Sequence, residues 1–175
     1  MKRDPLIPRE TSPWASDLQV SQWFNTREEI DLKRFRGKPV LLYAFQMLCP
    51  GCVSHGLPLV KAVYEQIPRE EIAVIGLHTV FEHHEAMQPP ALEAFLHEYR
   101  ISFPVGIDRH ETGKSIPLTM REYGMQGTPT LILIDKTGRL RRHSFGPPRE
   151  LLLGVCLGRL LSEHPEISEI HDKSV

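Results

Sequence analysis

The sequence lacks an excess of charge of either sign. Its 175 residues include 21 basic and 22 acidic side chains, which gives a formal net charge of −1. A protein that binds nucleic acid or an anionic membrane surface usually presents a concentrated basic patch. The composition therefore predicts a protein with neither nucleic acid nor a membrane among its partners.

Long hydrophobic runs are also absent. No apolar stretch approaches the roughly 18 residues that a membrane-spanning helix needs. The chain starts with Met1, two basic residues and a polar, proline-rich segment, which differs from the apolar core of a secretory signal. These two absences predict a cytoplasmic protein.

Cysteine is scarce, since the chain has only three. Three thiols in a cytoplasmic protein do not make a disulfide scaffold. Cys49 and Cys52 form a C-x-x-C pair, and no second pair is present that could complete a four-cysteine zinc site. Cys156 falls on the apolar face of a predicted C-terminal helix, where we interpret it as part of the core.

The C-x-x-C pair lies between a buried-strand pattern, residues 39–45, and an amphipathic segment. A strand that leads directly into two cysteines at this spacing and then into a helix is typical of a redox-active pair. If Cys49 caps the helix, Pro50 takes the first helical position, where its missing N–H costs nothing. The unpaired N–H groups and the helix dipole then face the Cys49 sulfur and favour the reactive thiolate. Cys52, one turn inside, can close a disulfide with Cys49.

Hydrophobic periodicity predicts the other elements. The predicted strands are residues 18–24, 39–45, 72–77, 103–107, 130–134 and 140–145. The predicted helices are residues 50–66, 91–100, 115–123 and 148–163. Pro58 should kink the first helix, Pro104 indicates an edge strand, and Leu151 and Val155 are among the residues expected to pack on the last helix.

This order of strands and helices predicts an α/β fold with a mixed central sheet covered on both faces. The functional groups of such sheets gather beyond the carboxyl ends of the parallel strands. A chain of this length fits one domain. We predict an extended N-terminal arm over residues 1–17, a single domain over residues 18–163 and a frayed tail over residues 164–175.

Four motifs taken together resemble the thioredoxin superfamily. They are RGKPVLL at residues 36–42, CPGC at residues 49–52, GTPT at residues 127–130 and LIDKTG at residues 133–138. The TlpA-like (redoxin, AhpC/TSA type) branch is similar in one further respect, a strand–helix segment inserted between the two thioredoxin motifs. The resemblance runs from about residue 18 to residue 163. It implies a thioredoxin fold and thiol–disulfide oxidoreductase activity without a cofactor.

The resemblance also implies roles for residues outside the cysteine pair. Pro129 should be a cis proline that faces the disulfide, and the Thr128 backbone should offer β-type hydrogen bonds to a substrate chain. Gly146 matches the glycine that lets partners approach closely. The other residues expected to contact the substrate border the cysteines: Leu48, Pro50 and Gly51.

Several positions depart from the family pattern. Tyr43 replaces the acidic residue of thioredoxins, and Leu48 replaces the usual tryptophan, so the usual proton-transfer group is missing. His55 stands where some TlpA-like proteins have glutamate and is the candidate proton relay. The alternative for His55 is a surface histidine without a role. Gln46 and Leu42 replace the hydroxyl residue and the proline that peroxiredoxins need, which argues against peroxidase activity.

The predicted loop over residues 78–90 holds the densest group of metal-ligating side chains: His78, Glu82, His83, His84 and Glu85. Imidazole and thiolate together are plausible ligands for copper or zinc. The alternative is a solvated lid that shapes the substrate groove. Because this loop leaves a strand parallel to the one before Cys49, we expect it to overhang the cysteines, with at least one histidine facing them.

The sequence therefore predicts a thiol–disulfide oxidoreductase in which Cys49 attacks and Cys52 resolves. Its substrate is a protein or small-molecule disulfide or dithiol, and its electron donor is not identified by the sequence. Two other interpretations stay open. One is a metal-handling protein that uses both cysteines and a loop histidine, and the other is a redox-sensing interaction module without turnover.

Overall fold

The structure of the protein is a computed structural model, and it describes residues 5–164. The first four residues of the predicted arm and nearly all of the predicted tail lie outside the described residues. The strands are β1 (Val20–Phe24), β2 (Val40–Phe45), β3 (Ala73–His78), β4 (Val105–Asp108), β5 (Thr130–Ile134) and β6 (Leu140–Phe145). The α-helices are α1 (Leu57–Gln66), α2 (Pro89–Glu98), α3 (Leu118–Glu122) and α4 (Glu150–Ser162).

The six strands form one mixed sheet in the order β1-β4-β3-β2-β5-β6. β2, β3 and β4 are parallel to one another, whereas β1, β5 and β6 pair antiparallel with their neighbours. Every residue of β2 and β3 is buried, because a separate hydrophobic cluster covers each face of the sheet. The predicted mixed α/β sheet with two covered faces is confirmed.

β4 is an interior strand, so the prediction of an edge strand at Pro104 is wrong. β1 pairs with one side of β4, and β3 pairs with the other. Pro104 lies just before the strand, where its missing N–H removes no hydrogen bond from the ladder. Its carbonyl instead accepts the Gly76 N–H at 2.9 Å.

The helix that follows β2 contains a widened turn. Cys52–Gly56 form a π turn, in which the Leu57 N–H donates to the Cys52 carbonyl, and α1 continues from it. Pro58 explains this turn, because it has no N–H for the carbonyl of Ser54 and its ring would clash there in a regular helix. The distortion predicted at Pro58 is therefore a π turn just before the proline.

Tyr43 supports this turn from the sheet. Its side chain is fully buried on β2, and its hydroxyl donates to the Cys52 carbonyl at 3.2 Å. A Cβ atom at position 56 would overlap that hydroxyl, so Gly56 is what allows the close approach. Burial raises the pKa of Tyr43 far above its ordinary value, and the phenol remains a neutral hydrogen-bond donor.

α4 packs a narrow apolar stripe against the sheet: Leu153, Cys156, Leu157 and Leu160. Cys156 is buried as predicted. The prediction that Leu151 and Val155 also pack is wrong, since these side chains are 84% and 42% exposed. At 3.6 residues per turn they lie away from the stripe defined by the four buried residues. No helix within residues 5–164 is long and apolar enough to cross a bilayer.

The N-terminal segment runs along the outer edge of β6. The Ile7 N–H donates to the Arg141 carbonyl at 2.7 Å, and the Leu140 N–H donates to the Pro13 carbonyl at 2.8 Å. These bonds use backbone groups that β6 would otherwise leave unpaired. Residues 5–14 therefore form an additional cover on that edge of the sheet.

β3 ends at His78, whose side chain is fully buried. The Met47 N–H donates to His78 Nε2 at 3.4 Å, so this nitrogen is an acceptor. Burial lowers the pKa of His78 from 6.5 to about 4, and the imidazole is neutral at physiological pH.

Replacing Gly56 by alanine should lower the free energy of unfolding by about 1–3 kcal/mol, because the new methyl group must displace a fully buried tyrosine. Denaturant unfolding followed by circular dichroism measures this. Gly154→Ala on α4 is the matched control, since nothing lies within 4 Å of a Cβ atom there. That substitution should stabilise the protein by up to about 1 kcal/mol. Equal effects at the two glycines would contradict the contact with Tyr43.

Folding stability should fall as the pH drops from 6.5 to 4, because His78 binds a proton more readily in the unfolded chain than in the folded one. Its contribution is complete above the unfolded pKa and is lost as the pH falls towards the folded pKa, a change of about 3 kcal/mol. His78→Gln cannot titrate, so its free energy of unfolding should depend less on pH across this window. Parallel stability curves for the two proteins would contradict the prediction.

Candidate active site

The two cysteines lie just beyond the C-terminal end of β2. The structure places Cys49 where the sequence predicts it, immediately before a helix. The first residue of that helix is Pro50, which is exposed. The Cys52 N–H donates to the Cys49 sulfur at 3.3 Å. Cys49 is half-buried and Cys52 is fully buried. The sulfur of Cys49 thus accepts a hydrogen bond from one of the N–H groups that a helix leaves unpaired at its N-terminus.

The Cys52 thiol is held in its protonated form. Burial, followed by a hydrogen bond with Cys49, raises the pKa of Cys52 to about 12. The Gln46 backbone and the Thr128 side chain lower the pKa to a smaller extent and do not offset the effect of burial. At neutral pH Cys52 must therefore lose a proton before it can act as a nucleophile.

The Thr128–Pro129 peptide bond is cis, as the resemblance implies. The Cys49 thiol donates to the Thr128 carbonyl at 3.5 Å. The Gly146 N–H donates to the Pro129 carbonyl at 2.8 Å. The loop with the cis bond therefore lies directly against Cys49, and the structure brings these four predicted residues together.

The rim of the site combines one exposed apolar side chain with two glycines. Leu48 is 56% exposed beside Cys49. A Cβ atom at Gly51 would lie 3.7 Å from the ring of Pro129. Gly146 has a φ of 96° and open space where a Cβ atom would stand. Glycine fits this left-handed backbone and leaves the approach to the site open.

Phe145 is a rim residue that the sequence reasoning missed. It is 53% exposed, and its ring lies 3.0 Å from the position of a Cβ atom on Gly127, next to Thr128. An aromatic residue at the end of a predicted strand is usually assigned to the core. Its position directly before Gly146, at the carboxyl end of β6, could have indicated that it borders the site.

His55 lies on the solvent side of the π turn. Its side chain is exposed, and Nδ1 is 2.7 Å from the hydroxyl oxygen of Ser54. This contact is with a neighbour on the helix rather than with either cysteine. The role of His55 as a proton relay stays a prediction.

The loop after β3 lies beside the segment that leads into the cysteines, as expected. The Phe81 N–H donates to Gln46 Oε1 at 3.3 Å, and Gln46 Nε2 donates to Glu82 Oε1 at 3.4 Å. His78, the last residue of β3, faces this segment through its contact with the Met47 N–H, and a histidine facing the cysteines themselves stays a prediction.

The other histidines of the loop lie apart. The His84 ring contacts the ring of His110, with 5.2 Å between the centroids, and His83 is exposed with a left-handed φ of 50°. Across residues 5–164 no three His, Cys, Asp or Glu side chains are grouped closely enough to hold a metal ion. The geometry therefore does not favour a metal site built from the cysteines and a loop histidine.

Known proteins match most of this chain. Residues 15–143 match the AhpC/TSA family. Protein DipZ of Mycobacterium bovis is 31% identical over 146 residues, which cover 82% of this chain and 20% of DipZ. Thiol-disulfide oxidoreductase ResA of Bacillus thuringiensis subsp. konkukian is 30% identical over 114 residues, which cover 65% of this chain and 58% of ResA. The chain thus spans only part of the length of both relatives.

Solved structures share the fold over nearly their whole length. A thioredoxin-like superfamily protein is 54% identical with a TM-score of 0.84, and the match covers 87% of this chain and 99% of that one. A thiol-disulfide isomerase from Corynebacterium glutamicum is 44% identical with a TM-score of 0.84, over 89% of this chain and 99% of that one. These likenesses confirm the predicted thioredoxin fold. Since the family match also spans more than half of the sequence, the chain belongs to the AhpC/TSA family.

Proposed function

We propose that this protein is a thiol–disulfide oxidoreductase whose redox centre is the pair Cys49 and Cys52. The observation that carries the proposal is the hydrogen bond from the Cys52 N–H to the Cys49 sulfur at 3.3 Å, at the start of a helix. A half-buried sulfur in this position is accessible to a substrate, and it accepts a hydrogen bond at the N-terminus of the helix. A second thiol lies one turn behind it. The matches to a thiol-disulfide oxidoreductase and a thiol-disulfide isomerase support the same chemistry.

Cys49 performs the first step on a substrate disulfide. Its thiolate attacks one substrate sulfur, so a bond forms between Cys49 and that sulfur while the substrate S–S bond breaks. The electron pair leaves on the second substrate sulfur, which takes a proton from water. The Thr128 backbone and Pro129 hold the substrate chain beside Cys49, and exposed Leu48 borders its path.

Cys52 performs the second step. It loses its proton and attacks the Cys49 sulfur, which forms the Cys49–Cys52 disulfide and releases the substrate as a thiolate. Two electrons have then passed from the protein to the substrate. A dithiol donor restores the reduced protein, and the same steps in reverse oxidise a dithiol substrate. His55 is the candidate for moving the Cys52 proton to solvent.

The substrate is a disulfide or dithiol of a protein or a small molecule. Leu48, next to Cys49, and Phe145, whose ring lies beside Gly127, are both exposed and favour a protein substrate with apolar residues near its cysteine. The cytoplasmic location and the absence of nucleic-acid and membrane partners rest on composition alone and stay predictions. The electron donor is an unidentified dithiol or reductase.

In the reduced protein, iodoacetamide should modify Cys49 about tenfold faster or more than Cys52 or Cys156 at neutral pH. Cys52 and Cys156 are both fully buried, and burial also keeps the Cys52 thiol protonated. Timed alkylation followed by peptide mass spectrometry measures the three rates. Cys49→Ser should leave the protein nearly unreactive. Modification of Cys52 as fast as that of Cys49 would contradict the assignment of the attacking thiol.

Replacing Cys52 by serine should trap mixed disulfides, because the second step then has no nucleophile. Discrete adducts should run on non-reducing gels of cell extract, and turnover of a model protein disulfide by dithiothreitol should be lost. The matched controls are Cys49→Ser, which should abolish the adducts, and Cys156→Ser, which should leave adducts and turnover unchanged. Adducts that persist without Cys49 would contradict the proposal. Wild-type protein that forms adducts but never turns over would indicate a redox sensor instead.

A further inference from the structure

A cavity of about 250 Å³ lies beside the redox centre, where β6 ends and α4 begins. Gly146 and Pro147 line this cavity and also border the cysteines. The Gly146 N–H donates to the Pro129 carbonyl, and the ring of Pro147 lies 3.5 Å from the position of a Cβ atom on Gly51. The cavity and the redox centre therefore share a wall.

Among the described residues that line the cavity, two are arginines and none is acidic. Arg142 is half-buried on β6, and Arg149 is exposed directly before α4. Within residues 5–164 neither guanidinium group forms an ion pair, whereas Arg141 is paired with two carboxylates. Glu150 lines a different groove, between α1 and α4. The cavity therefore holds positive charge that the described part of the protein does not neutralise.

The backbone on both sides of the cavity holds these arginines in defined positions. The Arg142 side chain donates to the Pro5 carbonyl at 2.6 Å through Nη1. A guanidinium group has five N–H donors, so this bond leaves others for a ligand. Pro147 and Pro148 restrict the backbone between β6 and Arg149, because each proline ring fixes its own φ angle.

The size and the lining of the cavity suit one side chain of a substrate. Pockets that bind a whole small molecule usually enclose about 300–1,000 Å³. Leu131 and Leu153 add buried apolar surface to the lining, which suits the methylene groups of an acidic side chain. Arginine binds a carboxylate through paired hydrogen bonds. An extended chain advances only about 3.3 Å per residue, so a residue close in sequence to the substrate cysteine can reach a cavity in this position.

We propose that this cavity binds an aspartate or glutamate side chain of a protein substrate, a few residues from the cysteine that Cys49 attacks. Arg142 and Arg149 bind the carboxylate, and Gly146 leaves open space between the cavity and the redox centre. The inference rests on the proposed oxidoreductase function. It adds a substrate class, namely protein disulfides with acidic residues beside the cysteine.

Two peptides that differ only in charge test this. Each contains one cysteine joined to the coloured thiol of Ellman's reagent. One peptide has aspartate and glutamate on both sides of the cysteine, and the other has asparagine and glutamine in the same places. The Cys49 thiolate forms a bond with the peptide sulfur, the mixed disulfide breaks, and its electron pair leaves on the coloured thiol. Stopped-flow absorbance gives both second-order rate constants, and their ratio, acidic over amide, cancels effects common to the two peptides.

The reduced wild-type protein should react about threefold to tenfold faster with the acidic peptide. Arg149→Gln and Arg142→Gln should each lower this ratio by about twofold to fivefold. Arg149→Glu should bring it below one, because the new carboxylate repels that of the peptide. Raising the salt concentration from about 0.01 M to about 1 M should bring the wild-type ratio towards one, since the Debye length falls from about 30 Å to about 3 Å. Arg27→Gln is the matched control, because it removes the same charge from an exposed position outside the cavity, and it should keep the wild-type ratio.

A wild-type ratio near one would overturn the inference. So would a ratio that either Arg149→Gln or Arg142→Gln leaves unchanged, or one that Arg27→Gln lowers equally. If Arg142→Gln fails to fold because it loses the bond to Pro5, the two Arg149 variants decide, since the Arg149 side chain is exposed and forms no hydrogen bond or ion pair within residues 5–164. A reduced wild-type protein that releases the coloured thiol from neither peptide would instead contradict the proposed function itself.

Discussion

The hydrogen bond from the Tyr43 hydroxyl to the Cys52 carbonyl joins the sheet to the helix that holds the cysteines. β2 therefore determines two positions at once, since it leads the chain to Cys49 and also supports the turn behind it. The π turn leaves the Cys52 carbonyl available to both Tyr43 and the Leu57 N–H. Gly56 makes this contact possible, because the side chain of any larger residue would displace the phenol of Tyr43. The geometry of both sulfur atoms depends on this one buried contact.

The same contact changes the acid–base chemistry of the site. A phenol whose pKa is raised by burial cannot take a proton from Cys52 at neutral pH, unlike the carboxylate that thioredoxins place there. The pKa of Cys52 is raised to about 12, chiefly by burial, and the Gln46 backbone and the Thr128 side chain offset only part of that rise. The site therefore keeps the Cys52 thiol protonated at neutral pH, and Tyr43 does not act as its base. In the proposed release step, the proton of Cys52 therefore has to pass to a group other than Tyr43.

Features with a local signal could be predicted from the sequence. The apolar runs predicted β2, β3 and β5, and the cysteine spacing with Pro50 predicted a helix that begins at Cys49. The cis bond before Pro129 followed only from the family resemblance. Features that depend on contacts between distant parts of the sequence could not be predicted, because no local pattern identifies the partner. Gln46 contacts Thr128, which lies 82 positions further along the chain, and β4 is an interior strand only because β1 pairs with it. Leu151 was assigned to the core from its apolar character, whereas the helical period places it on the side away from the buried stripe, where it is exposed.

Residues 5–14, which line β6, have a consequence for how this protein meets others. An uncovered edge strand has unpaired N–H and C=O groups that can pair with a strand of another chain, which promotes aggregation. Here both backbone groups of Ile7 form hydrogen bonds with Arg141. The Ile7 N–H donates to the Arg141 carbonyl, and the Arg141 side chain donates to the Ile7 carbonyl at 2.7 Å. At the opposite border β1 is only five residues long and breaks register after Val20. Both borders are therefore poor templates for pairing with another strand, and half-buried Cys49 lies away from them, beyond the C-terminal end of the central strand β2.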